Sequence, residues 1–131
     1  MNATYGQIHC AFRGCNMLMA GKRNIPTLAK FSISRLHDKL EKDFHTFEEF
    51  RQALVQKHGK QTFADEAETV STGWQVPEGS DAYKAFEKDW QEFCDQMTEI
   101  AVTPIPLGLF GNGNDGVETL EFKLLGPFVQ E

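Results

Sequence analysis

The sequence predicts an α+β, mainly α protein built on long amphipathic helices, and three observations carry that expectation. Apolar residues recur at helical spacing over three stretches, about 5–19, 27–58 and 81–100. Helix-capping residues, Thr4 and Ser80, stand where two of these stretches begin. Beyond residue 100, two prolines and an alternating tract abandon the helical period and predict a C-terminal β-hairpin or extended segment.

The first helix is predicted from about Tyr5 to Met19, with Thr4 as N-cap, Gln7 as its capping-box partner and Gly21 just past the end. Ile8, Ala11, Phe12, Cys15 and Leu18 make its apolar stripe. From Thr27, one stripe runs through Ala29, Ile33, Leu36, Leu40, Phe44, Phe47, Phe50 and Leu54 to Gly59. As a single helix this stretch is about 48 Å long at 1.5 Å per residue, against roughly 36 Å for a compact globule of this size. A break at His45-Thr46 would resolve the mismatch, with Thr46 and Glu49 as a second capping box and Phe44 and Phe47 as a staple. An elongated shape or an oligomer would resolve it too. The stripe crosses the candidate break in phase, on an eleven-residue pattern of 29/40, 33/44 and 36/47, which favours one helix.

Residues 59–79 lose the period and collect Gly, Ser, Thr and Pro, so they read as a long connecting loop whose most ordered part is 72–77. Ser80 then caps a helix predicted to reach about Ile100, with Asp81 in the first turn and a stripe of Tyr83, Phe86, Trp90, Phe93, Met97 and Ile100. Pro104 and Pro106 exclude helix and predict an extended edge segment. A Gly- and Asn-rich turn at 111–116 follows. Leu120, Phe122 and Leu124 alternate with Glu121 and Lys123 as in a half-buried strand, which would close a hairpin; a short helix over 118–125 competes with it.

At 131 residues the chain is expected to form a single domain, 1–131, and its eleven phenylalanines and 40% hydrophobic content exclude disorder. No apolar run reaches the roughly eighteen residues of a membrane helix, and the N-terminus lacks a secretory pattern, so an intracellular setting is expected. Cys10, Cys15 and Cys94 sit among apolar neighbours and read as reduced thiols. The net charge of -6 is divided unevenly: residues 1–60 hold ten Lys or Arg against five Asp or Glu, and residues 61–131 hold three against fourteen. Such halves attract, either as faces of one domain or head to tail between copies in a homo-oligomer. A short basic turn in an acidic chain cannot neutralise many phosphates, which disfavours direct nucleic-acid binding.

No catalytic constellation stands out. There is no Gly-x-Ser-x-Gly elbow, no cysteine in a catalytic context and no carboxylate pair in an apolar run, so the chain is not expected to be an enzyme, and no cofactor or metal ligand is assigned. His37, Glu41, His45 and Glu49 recur every four residues, but a solvated charged face accounts for them. The 111–116 turn fits neither a calcium loop nor a P-loop. Two places merit a binding reading. Lys22, Arg23 and Asn24 precede the helix start at Thr27, with Lys30 one turn in, and together they offer an anion site, against the plainer reading of a solvated basic turn. Trp74 is either a partner anchor or a plug over one end of the core.

The order Ile25-Pro26, residues 31–36 (Phe-Ser-Ile-Ser-Arg-Leu), 47–51 (Phe-Glu-Glu-Phe-Arg), Leu54, 57–59 (Lys-His-Gly), 86–90 (Phe-Glu-Lys-Asp-Trp) with Glu92, and 125–128 (Leu-Gly-Pro-Phe) resembles a family of small tailed-bacteriophage proteins, a domain of unknown function. The resemblance covers most of the chain; the longer Gly- and Pro-rich segment between 103 and 116 departs from it. It implies a phage or prophage origin, a host bacterial cytoplasm and a continuous long helix, and no reaction. Three function classes follow: a phage-encoded non-enzymatic interaction protein acting on a host factor, for example in counter-defence, or on a phage partner; an oligomeric protein sequestering a small anionic nucleotide; and an acidic mimic or virion assembly factor.

Overall fold

The computed structural model describes residues 1–20, 24–64, 66–67, 70–110 and 119–130. In chain order the elements are β1 (Asn2–Thr4), α1 (Tyr5–Met19), α2 (Thr27–His58), β2 (Lys60–Phe63), β3 (Ser71–Gln75), α3 (Asp81–Cys94), β4 (Met97–Glu99), β5 (Ile105–Pro106), a 3-10 turn (Leu107–Phe110), α4 (Thr119–Leu125), a second 3-10 turn (Gly126–Phe128) and β6 (Val129–Gln130). The architecture is mainly α with small strand pairs.

The capping box of α1 forms as the sequence requires: the Gln7 amide donates to Thr4 Oγ1 at 3.1 Å and the Thr4 amide donates to Gln7 Oε1 at 2.9 Å. Its stripe of Ile8, Ala11, Phe12, Cys15 and Leu18 is buried. Gly14 is buried as well, because a Cβ there would stand 3.1 Å from Leu124 Cβ and 3.4 Å from a Leu125 methyl of α4.

The long apolar stripe folds as one unbroken helix of 32 residues, α2. Thr46 caps nothing; its hydroxyl donates to the Lys42 carbonyl one turn back, an interaction compatible with a continuing helix. Ala29, Ile33, Leu36, Leu40, Phe47 and Leu54 are the buried positions. The first four join Ile8, Ala11, Cys15, Leu18, Ile100, Ile105, Phe110, Leu125 and Phe128 in one core cluster.

Three elements differ from expectation. The 59–79 stretch contains an antiparallel ribbon, β2 with β3, in which Gln61 faces Trp74 and the Thr62 and Thr72 hydroxyls lie 2.8 Å apart. Apart from Phe63 and Trp74 its strands are polar, so no alternation announced them. The third helix stops at Cys94 rather than Ile100, because 97–99 pairs antiparallel with 2–4 in a ribbon closed by reciprocal Met1–Ile100 hydrogen bonds of 2.8 and 2.9 Å. Residues 119–125 are helical, not a strand: Glu121 and Leu125, one turn apart, are buried, while Leu120 is exposed. The C-terminal strand pair that does form joins the extended 105–106 segment to 129–130 in parallel, and the predicted 111–116 turn lies outside the described residues.

Candidate functional site

Two surfaces on opposite ends of α2 combine chemistry with exposure. The first is a groove of about 320 Å³ between the N-terminal half of α2 and the extended segment 101–106. Ser32, Arg35 and Lys39 supply its polar wall, while Leu36, Val102 and Ile105 contribute apolar lining. Pro104 and Pro106 stiffen the opposite side, as their fixed φ demands. The Arg35 guanidinium also lies 5.8 Å from the centroid of the Phe31 ring. Among the described residues no carboxylate pairs with Arg35 or Lys39. Leu28 and Phe31, 66% and 60% exposed, extend this helix face as an apolar patch.

The second surface surrounds α3. Ser80 caps this helix through the Tyr83 amide at 3.1 Å, and Asp81 sits in the first turn. Its apolar stripe points toward the C-terminal half of α2, where Phe47 meets Trp90 edge-on at 4.6 Å and Phe50 stacks on Phe93 at 4.0 Å. Yet no residue of α3 is buried. Tyr83, Phe86, Trp90 and Phe93 are all half-buried, and Phe50 and Met97 beside them are exposed. The aromatic row continues inward as Phe47, His9, Phe44, Phe12 and His37, with ring centroids 4.1 to 5.3 Å apart.

Charged pairs hold this second surface in place. His58 Nε2 lies 2.8 Å from Asp89 Oδ2, and Lys57 Nζ lies 3.6 Å from the same oxygen. The His58 hydrogen bond, helped by the Lys57 charge, holds the Asp89 carboxyl below the usual carboxylate range. A His–Asp pair orients an imidazole in many hydrolases, but a shallow groove beside Asp89 is lined by Phe50, Leu54, Lys57, Glu92, Phe93 and Gln96, none of which offers a hydroxyl or thiol nucleophile. The pair joins α2 to α3. At the α1–α2 seam, Glu48 accepts from Arg51 at 3.0 and 3.1 Å and faces His9 at 3.5 Å. Burial nonetheless pushes the His9 pKa down, which favours the neutral ring among its aromatic neighbours.

Two of the three thiols, Cys15 and Cys94, are poorly suited to nucleophilic work. Burial pushes Cys15 up to about 12, and burial, with the Asp95 charge and Cys10 adding to it, also raises Cys94. Of the repeating His and Glu face, His37, Asp38 and Glu41 bring donor atoms within 4.8 Å of one another, and Glu41 lies 3.7 Å from His45. Asp38, Glu41 and His45 are exposed, as a solvated face requires.

Of the basic turn read from the sequence, Lys22 and Arg23 lie outside the described residues. Asn24, Thr27 and Lys30 are exposed around the start of α2, whose N-cap, Pro26, makes no side-chain cap bond. Trp74 projects from β3 and is 42% exposed. The groove at Ser32, Arg35 and Lys39 was not anticipated. Two cations one turn apart hinted at it, but its other wall lies more than sixty residues away in sequence.

Among the described residues no helix is long and apolar enough to cross a membrane. Comparison with protein-family models, curated proteins and solved structures finds no match.

Proposed function

We propose that this protein is a non-enzymatic interaction module that docks a protein partner on the aromatic surface formed by α3 and the C-terminal half of α2. One observation carries the reading: α3 has a full apolar stripe, Tyr83, Phe86, Trp90 and Phe93, and no buried residue. A helix held only by such a stripe normally buries it, and half-buried aromatics rimmed by charge are the composition of interface hot spots. The exposed rim is net acidic, with Asp81, Glu87, Glu92 and Asp95 outnumbering Lys84 and Lys88, so the favoured partner presents predominantly basic residues around apolar anchors. Trp74 on the neighbouring ribbon offers a further anchor. The phage family resemblance supplies the biological setting of this proposal, a host factor or phage protein as partner within a bacterial cytoplasm.

The test is a crosslinking pull-down in a bacterial host with the unmodified protein and with F86S/W90S, each first checked for native helicity by circular dichroism. A partner retained by the unmodified protein and lost with the folded double variant is the expected result. A partner set identical for both proteins would overturn the reading.

A further inference from the structure

We propose that the groove between α2 and residues 101–106 is a binding site for a small phosphate ester carrying a flat apolar group. The polar wall is one helical row: Ser32, Arg35 and Lys39 stand at i, i+3 and i+7, spanning about 10 Å along the axis. Arg35 supplies a planar fork suited to two oxygens of one anion, Lys39 a point charge one turn on, and Ser32 a hydroxyl one turn before. Neither cation is neutralised by a described carboxylate, so both are available to a ligand. Two cations one turn apart match the charge of about −1.5 to −2 that a phosphate monoester carries at neutral pH. A monocarboxylate would leave one of them uncompensated.

The apolar lining decides against a bare ion. Leu36, Val102 and Ile105, with Pro104 and Pro106, border the same concavity. Inorganic phosphate would leave that surface wet, whereas an aromatic or similarly flat group would cover it. The volume of about 320 Å³ lies at the lower end of the range for small-molecule sites, which limits the ligand to about one ring and one phosphate. The site is separate from the aromatic surface on α3.

The experiment is a two-dimensional amide NMR titration of the full chain with phenyl phosphate, run beside inorganic phosphate, benzoate and phenol. Saturable shifts confined to residues 32–39 and 101–106 are expected, in the order phenyl phosphate, then benzoate, then inorganic phosphate, with phenol not saturating. R35Q/K39Q, altered at two exposed positions, should weaken phenyl phosphate binding about tenfold or more, since it removes both charge-assisted hydrogen-bond donors of the wall. Added salt should weaken it as well. Shifts located elsewhere, no saturation, inorganic phosphate binding as tightly as phenyl phosphate, or unchanged affinity in the double variant would each overturn the proposal.

Discussion

The two halves of α2 solve different problems with one continuous helix. Its N-terminal half packs Ala29, Ile33, Leu36 and Leu40 into a closed, largely aliphatic core with α1, α4 and the 100–110 segment. Its C-terminal half buries only Phe47 and Leu54 and meets α3 through stacked and edge-on rings that remain half-open. Aliphatic side chains interdigitate to interior density and leave little surface over. Aromatic rings meeting at centroid distances of 4.0 to 5.5 Å hold α2 and α3 together while keeping faces toward solvent. The difference teaches that the aliphatic stripe of the first half is used up in specifying the fold, leaving its outer row at Ser32, Arg35 and Lys39 to border a groove, whereas the aromatic stripe of the second half itself forms a surface.

The comparison is broken most severely at its seam. Phe47 is fully buried and touches His9, Trp90 and Phe93, so Phe47→Ala should cost about 3 to 5 kcal/mol. Amide exchange should accelerate more in α3 than in α1; equal acceleration in both would mean that the halves unfold as one unit. Within the closed half, Leu40→Ala should cost about 2 to 5 kcal/mol in denaturant unfolding. The matching change in the open half, Phe50→Ala, should cost about 1 kcal/mol or less, because that ring is already 41% exposed. Comparable losses for the two would erase the distinction.

Gly14→Val tests the close approach of α1 and α4. A Cβ at that position already meets Leu124 at 3.1 Å, and the added methyls should cost about 1 to 3 kcal/mol, read as a lower unfolding midpoint. The smallest expected effect is a pH dependence at the seam. Burial lowers the His9 pKa from its ordinary 6.5, so the unfolded chain takes up a proton there more readily than the folded one. The stability it contributes is present above pH 6.5 and is lost as pH falls from there through the depressed folded value. His9→Phe, which keeps the stacking on Phe44 and Phe47, should flatten that decline. An unchanged slope would show that His9 titrates alike in the folded and unfolded chains.

Local chemistry was legible where the residues that decide it are neighbours in sequence. Thr4 with Gln7, Ser80 with Tyr83, and the in-phase stripe from Ala29 to Leu54 all act within one or two turns, and each forms as read. The alternation of Leu120, Phe122 and Leu124 misled because a charged residue, Glu121, occupies a buried position of α4 that a pattern reading assigns to solvent. Met97 and Ile100 continue the stripe of α3, and only the pairing of β4 with β1 at the other end of the chain removes them from the helix. The groove at Arg35 and Lys39 escaped for the same reason, since its apolar wall arrives from residues 101–106.

The sequence by itself determined the mainly helical class and the capping of α1 and α3, and its phase favoured a single long helix over a broken one, because helix periodicity and caps are short-range quantities set by residues three or four apart. The tertiary structure alone decided where α3 ends, how α4 seats against Gly14, and which cations border a concavity. Those outcomes depend on contacts between segments distant in the chain, whose free energy no local window contains.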